Sequence, residues 1–355
     1  MANLYNHKAL SFNDILLVPQ YSDVESRLKT DVSTYLTPNI KLDIPIISTN
    51  MSTVTEENML EAMYKTGSLG FLHRFMHPDK MVATLMDFRV KYPNSIIVPS
   101  VGTKDEDCEL VDKLMNASYG FPDVQLKPDA ILIDIAHGHS NSVKKMIKYI
   151  KDHYDIEVIA GNVATGSGAL YLADAGADAI RCGIGGGSVC STRTQTGFGV
   201  PTLTSIIEAK ESLTNRGFNN VKIIGDGGFT TSGDIVKALA FGADTITLGG
   251  MLCGTSASPG DVFESDGKHY KIMYGMSSKT AQEHLRGGMK KGIAAEGVDK
   301  QVLYKGNTED VVEEIVGGIR SGLTYSGART ITELRDNSEY IILTPGSMKE
   351  SKLLS

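Results

Sequence analysis

Residues 221–250 read VKIIGDGGFTTSGDIVKALAFGADTITLGG. A short β-branched run, VKIIG, is followed by Asp-Gly-Gly. An amphipathic stretch then opens on Thr-Ser and stops at Gly, and a second β-branched run, TITLG, ends in Gly-Gly. Ser or Thr at the start and Gly at the end are helix punctuation, and short apolar runs bounded by turn residues read as buried strands. The segment is therefore strand–helix–strand, with glycine at both strand ends.

The same alternation extends upstream. Strands are expected at IPIIS (44–48), LGFLH (69–73), IIVPSV (96–101), AILIDI (130–135), EVIAG (157–161) and AIRCG (179–183). VKIIG (221–225) and TITLG (245–249) are then the seventh and eighth. Helical patterns such as TEENMLEAMYKTG, SNSVKKMIKYIKDHY, GALYLADAG and LTSIIEAKESL lie between them. Eight strands, each followed by a helix or a long loop, predict an α/β protein, a closed (β/α)8 TIM barrel with its chemistry at the C-terminal strand ends. A doubly wound open sheet is the competing architecture; the count of eight and the two glycine-rich ends favour the barrel. No linker or low-complexity segment interrupts the pattern, so residues 1–355 read as a single domain. Residues 251–305 form one long departure before the helical pattern TEDVVEEIVGGIRSG. A connection of that length is usually functional, and it is expected to lie over the barrel mouth.

Composition narrows the partners. Of 355 residues, 41% are hydrophobic and 22% charged, which suits a globular core, and the net charge of −7 argues against nucleic acid or an anionic membrane as partner. The four cysteines, Cys108, Cys182, Cys190 and Cys253, show neither CxxC nor Cys/His zinc spacing. The opening MANLYNHKALSFND has no apolar signal core, so a reducing cytoplasm is the expected location.

Each strand end offers candidate residues. Asp226, Gly227 and Gly228 follow strand seven, and Gly249 and Gly250 follow strand eight, the two places where this fold commonly binds phosphate through bare N–H groups. Tight-turn glycines are the alternative. If the glycines bind phosphate, Asp226 is placed to accept from sugar hydroxyls. After strand six comes GIGGGSVCSTRTQTGFG, residues 183–199, which lacks the third glycine of a dinucleotide fingerprint. Cys190 is the one thiol on this glycine-rich loop and lies near Arg193. It is a candidate nucleophile or a structural cysteine. Asp134, His137 and His139 end strand four, and no third ligand supports a metal pair there. Asn50, Asn162 and Thr165 bind ligand or satisfy rim backbone.

The run GGSVCSTRTQTGFGVP resembles the catalytic loop shared by IMP dehydrogenases and GMP reductases. LSFNDILLVPQYSDVESR, DIAHGHSNSV, AGNVAT, IGDGGFTTSGDIVKALAFGAD, LGGM and YGMSS resemble that family too, in the expected order from about Ala9 onward. The dehydrogenase branch usually carries CBS modules after the second strand; here FLHRFMHPDK runs straight into the next helix, with no insert. The flap region SSKTAQEHLRGGMKKGIAAEG has Arg286 followed by Gly287, not the dehydrogenase Arg-Tyr pair, so the resemblance favours the reductase branch.

That resemblance implies NADPH-dependent conversion of GMP to IMP through a covalent adduct on Cys190, with Thr192 and Glu296 as acid–base pair. It implies that Ser188, Asp226, Gly227, Gly228, Gly249, Gly250 and Tyr274 hold phosphate and ribose. Gly275, Met276, Ser277 and Gly297 would surround the base. Asp134, Ile135 and Ala136 would face the nicotinamide, and Ser26, Arg27, Arg74, Ser321 and Thr324 the rest of the cofactor. Gly185, Gly187, Cys190 and Arg193 resemble a monovalent-cation (potassium) site, and a homotetramer is implied. Four departures stand out: Gly186 where Pro is usual, Ser52 where Asp is usual, Ile293 in place of an Arg before the catalytic Glu, and a dehydrogenase-like tail, PGSMKESKLL.

Overall fold

The computed structural model describes residues 8–118, 126–288 and 291–350. Eight parallel strands form one sheet: β1 (Ile46–Ser48), β2 (Leu69–Gly70), β3 (Ser100–Val101), β4 (Ala130–Asp134), β5 (Glu157–Val163), β6 (Ala179–Cys182), β7 (Lys222–Asp226) and β8 (Thr245–Leu248). Their order runs β2-β1-β8-β7-β6-β5-β4-β3. A parallel bridge between Leu72 and Pro99, with Ser100 N donating to Leu72 O at 3.1 Å, joins the two ends and closes the barrel. β2 and β3 are shorter than the sequence runs suggested, because Pro99 has no N–H to continue the ladder.

Helices follow each strand: α1 (Glu57–Lys65), α2 (Pro78–Lys91), α3 (Asp105–Asn116), α4 (Asn141–His153), α5 (Gly166–Asp174), α6 (Thr202–Asn215), α7 (Ser232–Ala240) and α8 (Thr308–Tyr325). α7 begins as its sequence indicated: Thr231 caps Asp234 N at 3.2 Å and the Asp234 carboxylate accepts from Thr231 N at 3.1 Å. No CBS-type insert interrupts the succession from β2 to α2. No described helix is long and apolar enough to cross a membrane.

Strand alternation decides what the barrel contains. On β4, Ala130 and Leu132 join an interior cluster with Ile47, Phe71, Ile159, Ala179 and Ile224, while Ile131 and Ile133 pack outward in the strand–helix layer. Leu36, Ile40 and Leu42, on and beside the hairpin Thr34–Tyr35 / Lys41–Leu42, belong to the same interior cluster and plug the bottom. Two residues further along the strands lie Thr49, Asp134, Arg181 and Asp226, and Thr247 stands two beyond Thr245. A period of two therefore puts a polar layer on top of an apolar one.

Residues 251–305 are not the plain loop the sequence suggested. They hold a three-stranded antiparallel sheet, Phe263–Ser265, Lys268–Tyr274 and Asp299–Leu303, and a helix, Lys279–Arg286. Asp266 and Gly267, at φ 52° and 72°, make the tight turn of its first hairpin. The strand was hard to read because Lys271, apparently solvent-facing, is 4% exposed, its ammonium donating to Ser258 O at 2.5 Å.

Candidate active site

A cavity of about 1210 Å³ opens at the C-terminal end of the barrel. The loop bearing Cys190 leaves β6 through Gly183, whose φ is 143° and where a Cβ would fall 1.9 Å from the Asp226 carbonyl oxygen. Only glycine fits there. An antiparallel bridge between Ile184 and Val200 closes the loop at its base. Cys190 N donates to Gly187 O at 3.1 Å, and a short helix, Thr192–Thr196, stops at Gly197.

The excursion after β8 meets this loop directly. Ser191 N donates to Glu296 O at 3.0 Å, Val298 N to Val189 O at 3.0 Å, and Glu296 N to Ser277 O at 3.1 Å. Gly275 and Gly297 allow the three segments to stack: a Cβ on Gly297 would lie 2.9 Å from Ser278 N, and one on Gly275 would lie 2.9 Å from Val189 O. Side chains far apart in sequence are thereby joined. Cys190 Sγ donates to Thr192 Oγ1 at 3.2 Å, and Thr192 Oγ1 donates to Glu296 Oε2 at 2.8 Å. The chain of donors runs from thiol to carboxylate, the direction a proton would take.

The floor is the polar layer of the barrel. Arg181, with a side chain 5% exposed, reaches Asp134 Oδ1 at 3.1 Å, Asp226 Oδ2 at 3.2 Å and Thr49 Oγ1 at 2.9 Å. Asp226 also accepts from Asn162 Nδ2 at 2.6 Å and Thr247 Oγ1 at 2.7 Å. Arg74 Nε lies 3.5 Å from the other oxygen of Asp134. The sequence reading missed Arg181, although a lone arginine inside the apolar run AIRCG, two residues after an inward Ala179, was its signal.

Most expected residues line the cavity: Cys190, Thr192, Glu296, Ser188, Asp226, Gly227, Gly228, Gly249, Gly250, Gly275, Met276, Ser277, Arg74, Asp134, Ile135, Ala136, Gly185 and Gly187. Gly227 and Gly228 have positive φ, so their turn needs glycine for itself, whereas at Gly250 a Cβ would stand 3.2 Å from Ser188 Oγ. Tyr274, Gly297 and Arg193 lie behind the wall: Tyr274 OH is 3.4 Å from Ser52 Oγ, and Arg193 donates to Val200 O at 3.0 Å. Thr165 caps α5, accepting from Gly168 N. Asn50 and Asn162 do reach the cavity.

Ser26, Arg27, Ser321 and Thr324 stand apart from the cavity. Ser26 caps the short 3-10 helix Arg27–Lys29, which packs on α8. Ser321 and Thr324 donate to carbonyls one turn back in α8. For a cation, the Gly187 carbonyl already accepts from Cys190 N and that of Arg193 from Gly197 N, which leaves the carbonyls of Gly185 and Cys190 as the more open donors. Among the described residues no group of three His, Cys, Asp or Glu is placed to hold a metal ion. Of the departures, Gly186 packs where a Cβ would lie 2.7 Å from Thr202 Oγ1, and Ile293 is 59% exposed. The last residues of the tail, 351–355, lie outside the described residues.

Comparison with known proteins agrees with this architecture. A family model described as IMP dehydrogenase / GMP reductase domain matches residues 9–353. The inosine-5'-monophosphate dehydrogenase of Borreliella burgdorferi is 34% identical over 99% of this chain and 98% of its own. The GMP reductase of Vibrio atlanticus is 37% identical over 81% of each chain. A crystal structure of a cysteine-to-alanine variant of GMP reductase from Trypanosoma brucei, in complex with guanosine 5'-monophosphate, superposes with a TM-score of 0.89 at 26% identity, over 99% of this chain and 98% of that one. An oxidoreductase barrel with a thiol, a hydroxyl and a carboxylate in line at its mouth is thus matched along nearly its whole length, and the chain belongs to the IMP dehydrogenase/GMP reductase family.

Proposed function

We propose that this protein is a GMP reductase, converting GMP to IMP and ammonia with NADPH. The observation that carries the reading is the hydrogen-bonded line Cys190–Thr192–Glu296 on the wall of the cavity that the glycine turns after β7 and β8 also line. The Cys190 sulfur adds to C2 of the guanine, and its proton passes through Thr192 to Glu296. The same pair returns a proton to the departing 2-amino group, the C2–N bond breaks, and the purine remains bonded to sulfur as a thioimidate. NADPH, when bound, supplies the hydride that reaches C2. The C2–S bond then breaks, giving IMP and the free thiolate, with NADP+ as the oxidised product.

In this reading Ser188, Gly227, Gly228, Gly249, Gly250 and Tyr274 hold the 5'-phosphate, and Asp226 takes the ribose hydroxyls. Gly275, Met276, Ser277 and Gly297 shape the base pocket. Asp134, Ile135, Ala136 and Arg74 serve the cofactor within the cavity. Ser26, Arg27, Ser321 and Thr324 would serve it only from another copy of the chain, which fits the homotetramer implied by the resemblance. A potassium ion would be held by loop carbonyls near Gly185 and Cys190. A single-domain, cytoplasmic enzyme is the corresponding whole.

A second reading, NAD-dependent oxidation of IMP to XMP, is favoured by the near-complete coverage of the dehydrogenase relative. The two are separated by measuring NADPH oxidation with GMP beside NAD reduction with IMP. Turnover with IMP and NAD alone would overturn the reductase proposal.

A further inference from the structure

Lys305 stands where residues 251–305 rejoin the barrel, two residues past the strand Asp299–Leu303. Its ammonium turns onto three backbone carbonyls, donating to Gly250 O at 2.5 Å, Met251 O at 3.0 Å and Cys253 O at 2.7 Å. An ammonium has three N–H bonds, so every proton is committed and none is left for a ligand. The backbone repeats the clamp: Lys305 N donates to Gly254 O at 2.8 Å, and Ser256 N to Gly306 O at 2.7 Å. The carbonyls belong to the turn after β8, the one that brings Gly249 and Gly250 to the cavity that Lys305 also lines.

Several carbonyl oxygens converging on one point form the cage in which a backbone holds a desolvated monovalent cation. Here the cation is covalently attached, on a side chain that is exposed as a whole while its ammonium is turned onto the carbonyls. Desolvation lowers the Lys305 pKa from the ordinary lysine value, and Lys300 adds to the effect. The nearby Cys253 thiol is pushed up to about 11, mainly by burial, so it is neutral at pH 7 and does not cancel the charge.

We propose that Lys305 is a positioning residue for the nucleotide 5'-phosphate, a resident cation that locks residues 249–253 and offsets the phosphate charge without donating to it. The inference rests on the reading that Gly249 and Gly250 hold that phosphate. Arginine is not an equivalent, because a planar fork cannot direct three N–H bonds at converging carbonyls.

The test is calorimetric binding of GMP and of guanosine to wild type, Lys305→Ala and Lys305→Gln, in methylammonium chloride or in equal tetramethylammonium chloride. Wild type should prefer GMP strongly. Both variants should lose about tenfold or more for GMP and change by less than roughly twofold for guanosine. Methylammonium, small enough for the carbonyl cage, should restore part of the loss in Lys305→Ala, and tetramethylammonium should not. Lys305→Gln, which keeps an amide in place, decides the matter alone if Lys305→Ala does not fold. An unchanged GMP-to-guanosine ratio, or a loss in Lys305→Ala that methylammonium leaves untouched, would overturn the proposal. Equal binding of the two ligands by wild type would instead remove the phosphate reading, and this inference with it.

Discussion

Replacing Thr192 by valine separates the thiol from the carboxylate while keeping the side chain's shape. The hydroxyl stands 3.2 Å from Cys190 Sγ and 2.8 Å from Glu296 Oε2. Without it those two groups lie up to about 6 Å apart, roughly twice the reach of direct proton transfer, and a methyl occupies the place a bridging water would need. Positioned proton transfer contributes about 10² to 10⁴ in rate, or about 2.7 to 5.5 kcal/mol of the barrier. Folding should change little: Thr192 and Glu296 are both half-buried, so water replaces the lost donor at a cost below about 1 kcal/mol. We expect Thr192→Val to lower kcat by about 10² or more with a near-normal KM for GMP. Thr192→Ala should lose less, since a water fits, and Thr192→Ser should approach wild type. Adding Glu296→Gln to Thr192→Val should cost far less than the product of the single effects. The assay is NADPH oxidation at saturating GMP, with single-turnover ammonia release to isolate the deamination step. A Thr192→Val enzyme whose kcat stays within about threefold of wild type would refute the proton path.

Other consequences are equally direct. Arg181→Met leaves Asp134 and Asp226, whose side chains are 21% and 19% exposed, without their shared counter-charge. Breaking a fully buried pair costs about 3–5 kcal/mol, and partial solvation here should reduce that to about 2–3 kcal/mol in denaturant unfolding; a loss under about 0.5 kcal/mol would show that the network is not structural. Burial pushes the Cys182 thiol up to about 12 and the Cys253 thiol up to about 11. Both values exceed the ordinary thiol value of 9.0, so these groups favour the folded state fully below that pH and lose the contribution as pH rises from there towards 12. Iodoacetamide at pH 8 should therefore spare both and label the half-buried Cys190 first, with GMP protecting it; early labelling of Cys182 or Cys253 in peptide mapping would contradict this. Arg27→Ala should raise the KM for NADPH, leave that for GMP nearly unchanged and narrow the preference over NADH, because only NADPH carries the additional phosphate. A parent-like cofactor ratio would remove Arg27 from cofactor recognition.

Local order was legible along the chain because it is written at short range. Thr231 caps α7 where the sequence placed a Thr-Ser opening, and the β-branched runs at 130–135 and 221–225 became β4 and β7 within a residue or so. Glycine after β7 and β8 and the thiol loop after β6 marked the mouth for the same reason: strand count alone assigns them to one end. Closure itself was expected from the count of eight strands, but the bridge that makes it, between Leu72 and Pro99, was not legible, since a bridge beside a residue without an N–H leaves no periodic trace. Nor was the fold of residues 251–305, where buried Lys271 disguises a strand. The alignment of Cys190, Thr192 and Glu296 depends on backbone pairing between Cys190 and Gly297, segments about a hundred residues apart. Arg181 was visible as a residue and invisible as a site, because a charge inside a strand acquires partners only when the sheet closes and Asp134 and Asp226 arrive on either side. Local patterning settled the order of strands and helices and the residues at each strand end. Which of those residues touch was left to barrel closure and to the return of the excursion over the mouth, since both bring together groups that no local periodicity links.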